Sequence, residues 1–238
     1  MDETTWLACA DPQPMLAFLR GKASARKLRL FACACCRRIW HFLSDPRALD
    51  ALQIAELFAE DLVGDADRSA ARKAAQQAAQ PRGVMRIPDA PKWARRAAST
   101  VYYATARHAM EAAYNAPQLA IESLLWRAGG YAVCDVQAIE RTEQAHQAGA
   151  LRDLFGNPFR PVVLEAASQT SLIVGLAQAA HQERSLPDGC LDNARLAILA
   201  DALEEAGCTN ADLLGHLRGP GSHLRGCWAV DRILHQER

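Results

Sequence analysis

Apolar side chains recur every three or four positions along most of this chain, and strong helix formers, chiefly Ala, Leu, Arg, Gln and Glu, fill the spacing between them. β-Branched runs that alternate with period two are nearly absent, and the nearest candidates, Tyr131 to Val136 and Pro161 to Leu164, are short. The pattern predicts an all-α fold: an irregular multi-helix bundle of about nine or ten helices packed ridge into groove, with no substantial sheet.

Caps and breakers set the expected boundaries. Asp11 with Pro12 opens a helix that Gly21 closes, and Ser24 opens a second that runs to Ser44. In this second helix apolar residues fall on every side from Leu28 to Cys36, which predicts a central position. Asp45-Pro46 starts a third, reaching Val63, with Leu49, Leu52, Ala55 and Leu57 toward the core; Gly64 ends it and Asp65 caps the next. Residues 66–80 have helix propensity but no large apolar side chain, so they read as an exposed or mobile helix. A long helix from Lys92 to Tyr114 is expected to stop at Asn115-Ala116-Pro117, with another from Gln118 to Ala128. Further helices fall at Cys134 to Phe155, 165–183, 192–206, 210–217 and 222–236.

The chain reads as a single helical domain over 1–238, and if it has two lobes they join near 81–93, where PRGVMRIPDAPKW places three prolines and a glycine. Lys plus Arg equals Asp plus Glu at 27 each, so no net field draws the chain toward nucleic acid or an anionic membrane. MDETTWLACADPQP has neither a basic nor an apolar leader region, and no run approaches the roughly 18 apolar residues of a membrane-spanning helix. These features predict a cytoplasmic protein. The placement of the eight cysteines agrees, because Cys33, Cys35 and Cys36 crowd one apolar run where disulfide geometry is hard to satisfy. Reduced, buried thiols are the expectation.

Two cysteine-bearing segments bear on metal chemistry. In KLRLFACACCRRIWHFL, Cys33 and Cys36 share a helix face, while Cys35 points elsewhere and His41 lies about 140° round from Cys36, so the segment offers at most two ligands to one centre. Packing against Trp40 accounts for these residues. At the other end, Cys208, His216, His223 and Cys227 form C-x7-H-x6-H-x3-C. If Ser222 caps the last helix, His223 and Cys227 stand at i and i+4, and Gly219-Pro220-Gly221 folds Cys208 or His216 toward them. The spacing matches no zinc-finger pattern. These four are nonetheless the candidate metal ligands, with zinc the metal they suit.

Other chemistries find little support. A di-iron carboxylate bundle needs two Glu-x-x-His motifs, and only Glu143 to His146 is present. No nucleophile elbow, Ser-x-x-Lys motif or P-loop occurs, and no catalytic residue or bound cofactor is predicted. Arg37-Arg38, and Arg95-Arg96 beside Lys92 and Trp93, are the only basic-aromatic clusters, which makes nucleic acid an unfavoured partner.

Three blocks, KLRLFACACCRRIWHFL, LRDLFGNPFRPV and LADALEEAGC…HLRGPGSHLRGCWAVDRIL, together resemble an uncharacterised family of bacterial proteins that occurs in many paralogous copies within single genomes. The phrase ARLAILADALEEAGC is also similar to a motif of bacterial repeat-companion domains. Neither resemblance implies an activity, a cofactor or a site residue. The Phe155–Pro161 segment reads as a buried turn, with Phe155 and Phe159 packed and Arg160 paired to a carboxylate. The leading functional expectation is a non-catalytic protein-interaction or regulatory module with an unidentified protein partner. The alternative is a metal-binding protein or metalloenzyme centred on the C-terminal Cys/His group.

Overall fold

A computed structural model describes residues 1–80, 90–132, 135–164 and 169–236. The fold is all-α and multi-helical, with twelve α-helices, one 3-10 turn and a single two-stranded ribbon among the described residues. The count exceeds nine or ten partly because of α1 (Glu3–Ala8), which Asp2 caps by accepting the Thr5 amide. The described residues form two compact units, one from Cys9–Ala148 and the other from Met1–Ala8 with Gly149–Arg238. The candidate join at 81–93 falls within the first unit, and residues 81–89 lie outside the described residues.

The unit from Cys9 to Ala148 is built around α3 (Ala25–Arg38), whose residues from Lys27 to Cys36 are all buried. Its central position follows from the apolar run, and Ser24 caps it as expected. It ends at Arg38, earlier than Ser44, and the 3-10 turn Trp40–Phe42 continues the chain. Burial pushes the Cys35 and Cys36 thiols well above their ordinary range. On α3 pack α4 (Pro46–Ala59), α6 (Lys92–Ala104) and α7 (Ala109–Arg127), with α5 (Asp65–Ala79) against α4 and α6 and α2 (Pro12–Leu19) against α7.

The expectation of an exposed or mobile helix at 66–80 fails, because small size here permits packing. Helix α5 buries Ala71, Ala75, Ala78 and Ala79 and packs on α4 and α6, whose own buried faces are also largely alanine. Backbones lined with methyl groups approach closely, and each buried methyl-sized group stabilises by about 0.8 kcal/mol.

The long helix also breaks elsewhere than expected. Pro117 lies inside α7, with Ala112, Ala113, Ala116, Leu119 and Ala120 buried around it. That continuous buried face offsets the roughly 3 kcal/mol that an internal proline costs. The break comes instead at Thr105–His108, where two buried arginines take the released carbonyls. Arg68 donates to Thr105 O at 2.7 Å, and Arg29 donates to Ala106 O and Arg107 O, each at 2.7 Å. Both guanidiniums lie over the Phe58 ring, and their charge suits the negative end of α6.

The other unit places α9 (Ser171–Gln182), α10 (Asn193–Glu205), α11 (Ala211–Leu217) and α12 (Trp228–Leu234) around a core of Ile173, Leu196, Leu199, Leu203, Leu213 and Val230. The ribbon β1 (Arg184–Ser185) and β2 (Cys190–Leu191) joins α9 to α10. α1 belongs here, with Trp6 fully buried and its Nε1 donating to Gly156 O at 2.9 Å. Helix α8 (Val136–Phe155) holds the dividing line, between Ala148 and Gly149.

Replacing Arg29 by Met keeps an apolar stem and strands two carbonyls. Urea unfolding of the full chain is expected to show a loss of about 1–3 kcal/mol, and an unchanged midpoint would remove the capping role.

Candidate metal centre

Three local features bring the site together. Asp153 lies in the last turn of α8, which stops at Gly156 in a left-handed conformation (φ 63°). A Cβ at Gly156 would meet the Trp228 indole at 3.0 Å, so glycine is required for both backbone and space. His216 occupies the last turn of α11, which Asn210 caps. His223 and Cys227 sit on the segment that follows, tied down where the Leu191 amide donates to His223 O at 2.7 Å and Leu224 bridges Cys190.

Ser222 does not cap a helix. Cys227 precedes α12, which begins at Trp228, so His223 and Cys227 are not an i, i+4 helical pair. A turn brings them together instead: the Cys227 amide donates to Leu224 O at 2.9 Å, and Gly226 takes a φ of 87°.

Four side chains converge. One ligand atom from each of Asp153, His216, His223 and Cys227 lies within 4.8 Å of the others. Asp153 Oδ1 is 3.2 Å from His216 Nε2 and 3.2 Å from His223 Nδ1. Cys227 Sγ is 3.1 Å from the same His216 nitrogen and 3.9 Å from the same His223 nitrogen. The second His223 nitrogen faces Gly219 O at 3.4 Å, and Asp153 Oδ2 accepts the Leu224 amide at 2.7 Å. Cys227 is 0% exposed, His223 2% and Asp153 6%, whereas the His216 side chain retains 22%.

Cys208 is absent from this group, which is a correction to the expected ligand set. It follows Gly207 (φ 89°) in a Schellman end to α10, with its amide on Leu203 O and the Gly207 amide on Glu204 O. In that motif the residue after the glycine turns back onto the helix, and Cys208 accordingly joins the apolar core. Asp153 completes the group instead. Its only sequence signal was a lone acid among Leu151, Leu154 and Phe155, separated from His223 by 70 positions.

The remaining candidates have structural partners. Glu143 is buried and bidentate with Arg38, while His146 faces outward, so the Glu-x-x-His pair does not converge. Arg37 is paired with Glu56, Arg96 with Glu122, and Lys92 lies over Trp126. None of the seven described cysteines is in a disulfide; Cys134 lies outside the described residues. At the 156–161 turn Arg160 does pair with a carboxylate, that of Glu3, and Asn157 donates to the same oxygen. Phe155 is half-buried and Phe159 exposed, so the turn is not the buried one expected. No helix among the described residues is long and apolar enough to cross a membrane.

The electrostatics are those of a buried, mutually satisfied group. Burial pushes the Asp153 carboxyl up, but hydrogen bonds from His216 and His223 outweigh it and hold the carboxyl below its ordinary 3.8. Burial likewise depresses His223, and the Asp153 carboxylate reverses this, leaving it above 6.5. Burial and the Asp153 charge raise the Cys227 thiol well above its usual range.

No known protein family, curated protein or solved structure matches this chain.

These shifts set a pH window for the metal-free protein. The Asp153 contribution is present above pH 3.8 and is lost as pH falls through its lower native value. The His223 contribution is fully present below pH 6.5 and is lost as pH climbs through its higher native value. Thermal melts of chelated protein should therefore decline on both sides of that interval, and Asp153→Asn should flatten the alkaline limb. An unchanged alkaline limb in the variant would contradict the pairing.

Proposed function

We propose that this chain is a zinc-binding helical protein, with Asp153, His216, His223 and Cys227 as ligands. The observation that carries the reading is that each imidazole turns one nitrogen toward both the carboxylate oxygen and the sulfur. Hydrogen bonds hold these groups in the metal-free protein, and the same convergence of one carboxylate, two imidazoles and one thiol suits a cation placed between them. A metal at the centre accounts for all four donors at once. Tetrahedral zinc, with Zn–N of about 2.0–2.1 Å and Zn–S of about 2.3 Å, separates its donors by roughly 3.3–3.6 Å. Four of the six donor pairs stand 3.2, 3.2, 3.1 and 3.9 Å apart, and all six lie within 4.8 Å.

The donor set favours zinc over hard cations. Calcium and magnesium take six or more oxygens or waters, whereas one thiolate, two imidazoles and one carboxylate form a borderline-soft set. Gly219 O, opposite the far nitrogen of His223, stands where an outer-shell acceptor orients a ligating ring. Zinc here would supply positive charge that holds Cys227 as thiolate despite its burial. The expectation of a protein-interaction module has no comparable geometry behind it.

Metal analysis of reduced, purified protein tests the reading. One zinc per chain is expected, lost in His223→Ala and Cys227→Ala and retained in Cys208→Ala. Wild-type protein that takes up no stoichiometric zinc on reconstitution, or a Cys208→Ala variant as deficient as Cys227→Ala, would refute it.

A further inference from the structure

Resting on the zinc reading, we infer that the metal is a closed, four-coordinate folding cofactor for the unit holding residues 149–236, with no coordination position left for a substrate. The first observation is the state of the carboxylate. Asp153 Oδ2 already accepts the Leu224 amide at 2.7 Å, which leaves Oδ1 alone to face the ring nitrogens. The carboxylate is thereby held monodentate, and the protein supplies four donors, the number a structural zinc site requires. A catalytic site supplies three and leaves the fourth to water.

The second observation is enclosure. Asp153, His223 and Cys227 are buried, and the partly exposed His216 ring is flanked by His223 at 4.7 Å, perpendicular to it, and by Trp228 at 5.0 Å.

The third observation is where the ligands come from. They join the end of α8, the end of α11 and the 219–227 segment, stretches with little regular structure to hold them together. The Gly219 and Gly226 turns, the Leu224 bridge, the Leu224 amide to Asp153 and the His223 carbonyl bond tie down a segment that buries an imidazole and a thiol. A metal bond to each of those side chains converts that support into a locked junction, and binding free energy then becomes folding free energy. The site is thus coupled to stability in its own unit.

The test is amide hydrogen exchange on the full chain, zinc-loaded against chelated, under reducing conditions. With free zinc a hundredfold above its dissociation constant, amides whose exchange requires the site to open should slow by about 100-fold. That slowing is expected at Asp153 to Gly156 and across 211–234, while amides of α3 to α7 change by less than about twofold. In a second arm, cobalt replaces zinc, and azide is added while the visible absorption is followed. An unchanged spectrum is expected of a closed tetrahedral centre. Zinc binding without local protection, or an azide-shifted cobalt spectrum, overturns this inference and leaves the zinc reading standing. Failure of both metals to bind overturns both.

Discussion

A carboxylate removed from water persists only when its oxygens are fully engaged, and in the C-terminal unit the buried Asp153 meets that demand from three directions. Leu224 supplies an amide to one oxygen, and two imidazoles address the other. Removing any one of these partners leaves charge in an apolar surrounding, so the end of α8, the end of α11 and the 219–227 segment are mutually conditional. The same constraint organises the unit from Cys9 to Ala148. There Arg29 and Arg68 are buried against freed carbonyls, and Glu56 and Glu143 are buried against Arg37 and Arg38. Apolar periodicity assembles the helices, and charge satisfaction decides where they stop and how they lock.

Much of the helical content was legible because local chemistry announces it. Asp11, Ser24, Asp45, Asp192 and Asn210 each cap the helix that follows, accepting amides from the first turn. The misplacements share a cause: a local signal was overridden by a partner distant in sequence. Pro117 announces a stop, yet α7 continues through it because burial on both sides outweighs the lost bond. Thr105 announces nothing, yet the chain breaks there because Arg29 and Arg68 receive its carbonyls and those of its neighbours from 37 to 78 positions away. The alanines of α5 carry no burial signal when read alone; their value emerges only against the equally small faces of α4 and α6.

The candidate site shows the same division. His216, His223 and Cys227 could be grouped from sequence because they lie close together in the chain. Even so, the geometry that unites His223 and Cys227 is a glycine-dependent turn, not the helical face that spacing suggested. Cys208 stands apart from the group because the preceding glycine, in a left-handed conformation, returns the chain onto α10 and places the thiol in the apolar core. Asp153 was invisible as a ligand, since a single acid in a helix carries no mark of what will stand opposite it.

The membership of α1 in the unit with residues 149–238 bears on biosynthesis. The carbonyl that receives the Trp6 indole belongs to a residue 150 positions further on. At about 5–20 residues per second, the nascent chain carries that indole for on the order of ten seconds before its acceptor has been translated. During that interval the first helix has no native place to dock. Residues 1–8 therefore find their shelter only after residues 149 onward have been made.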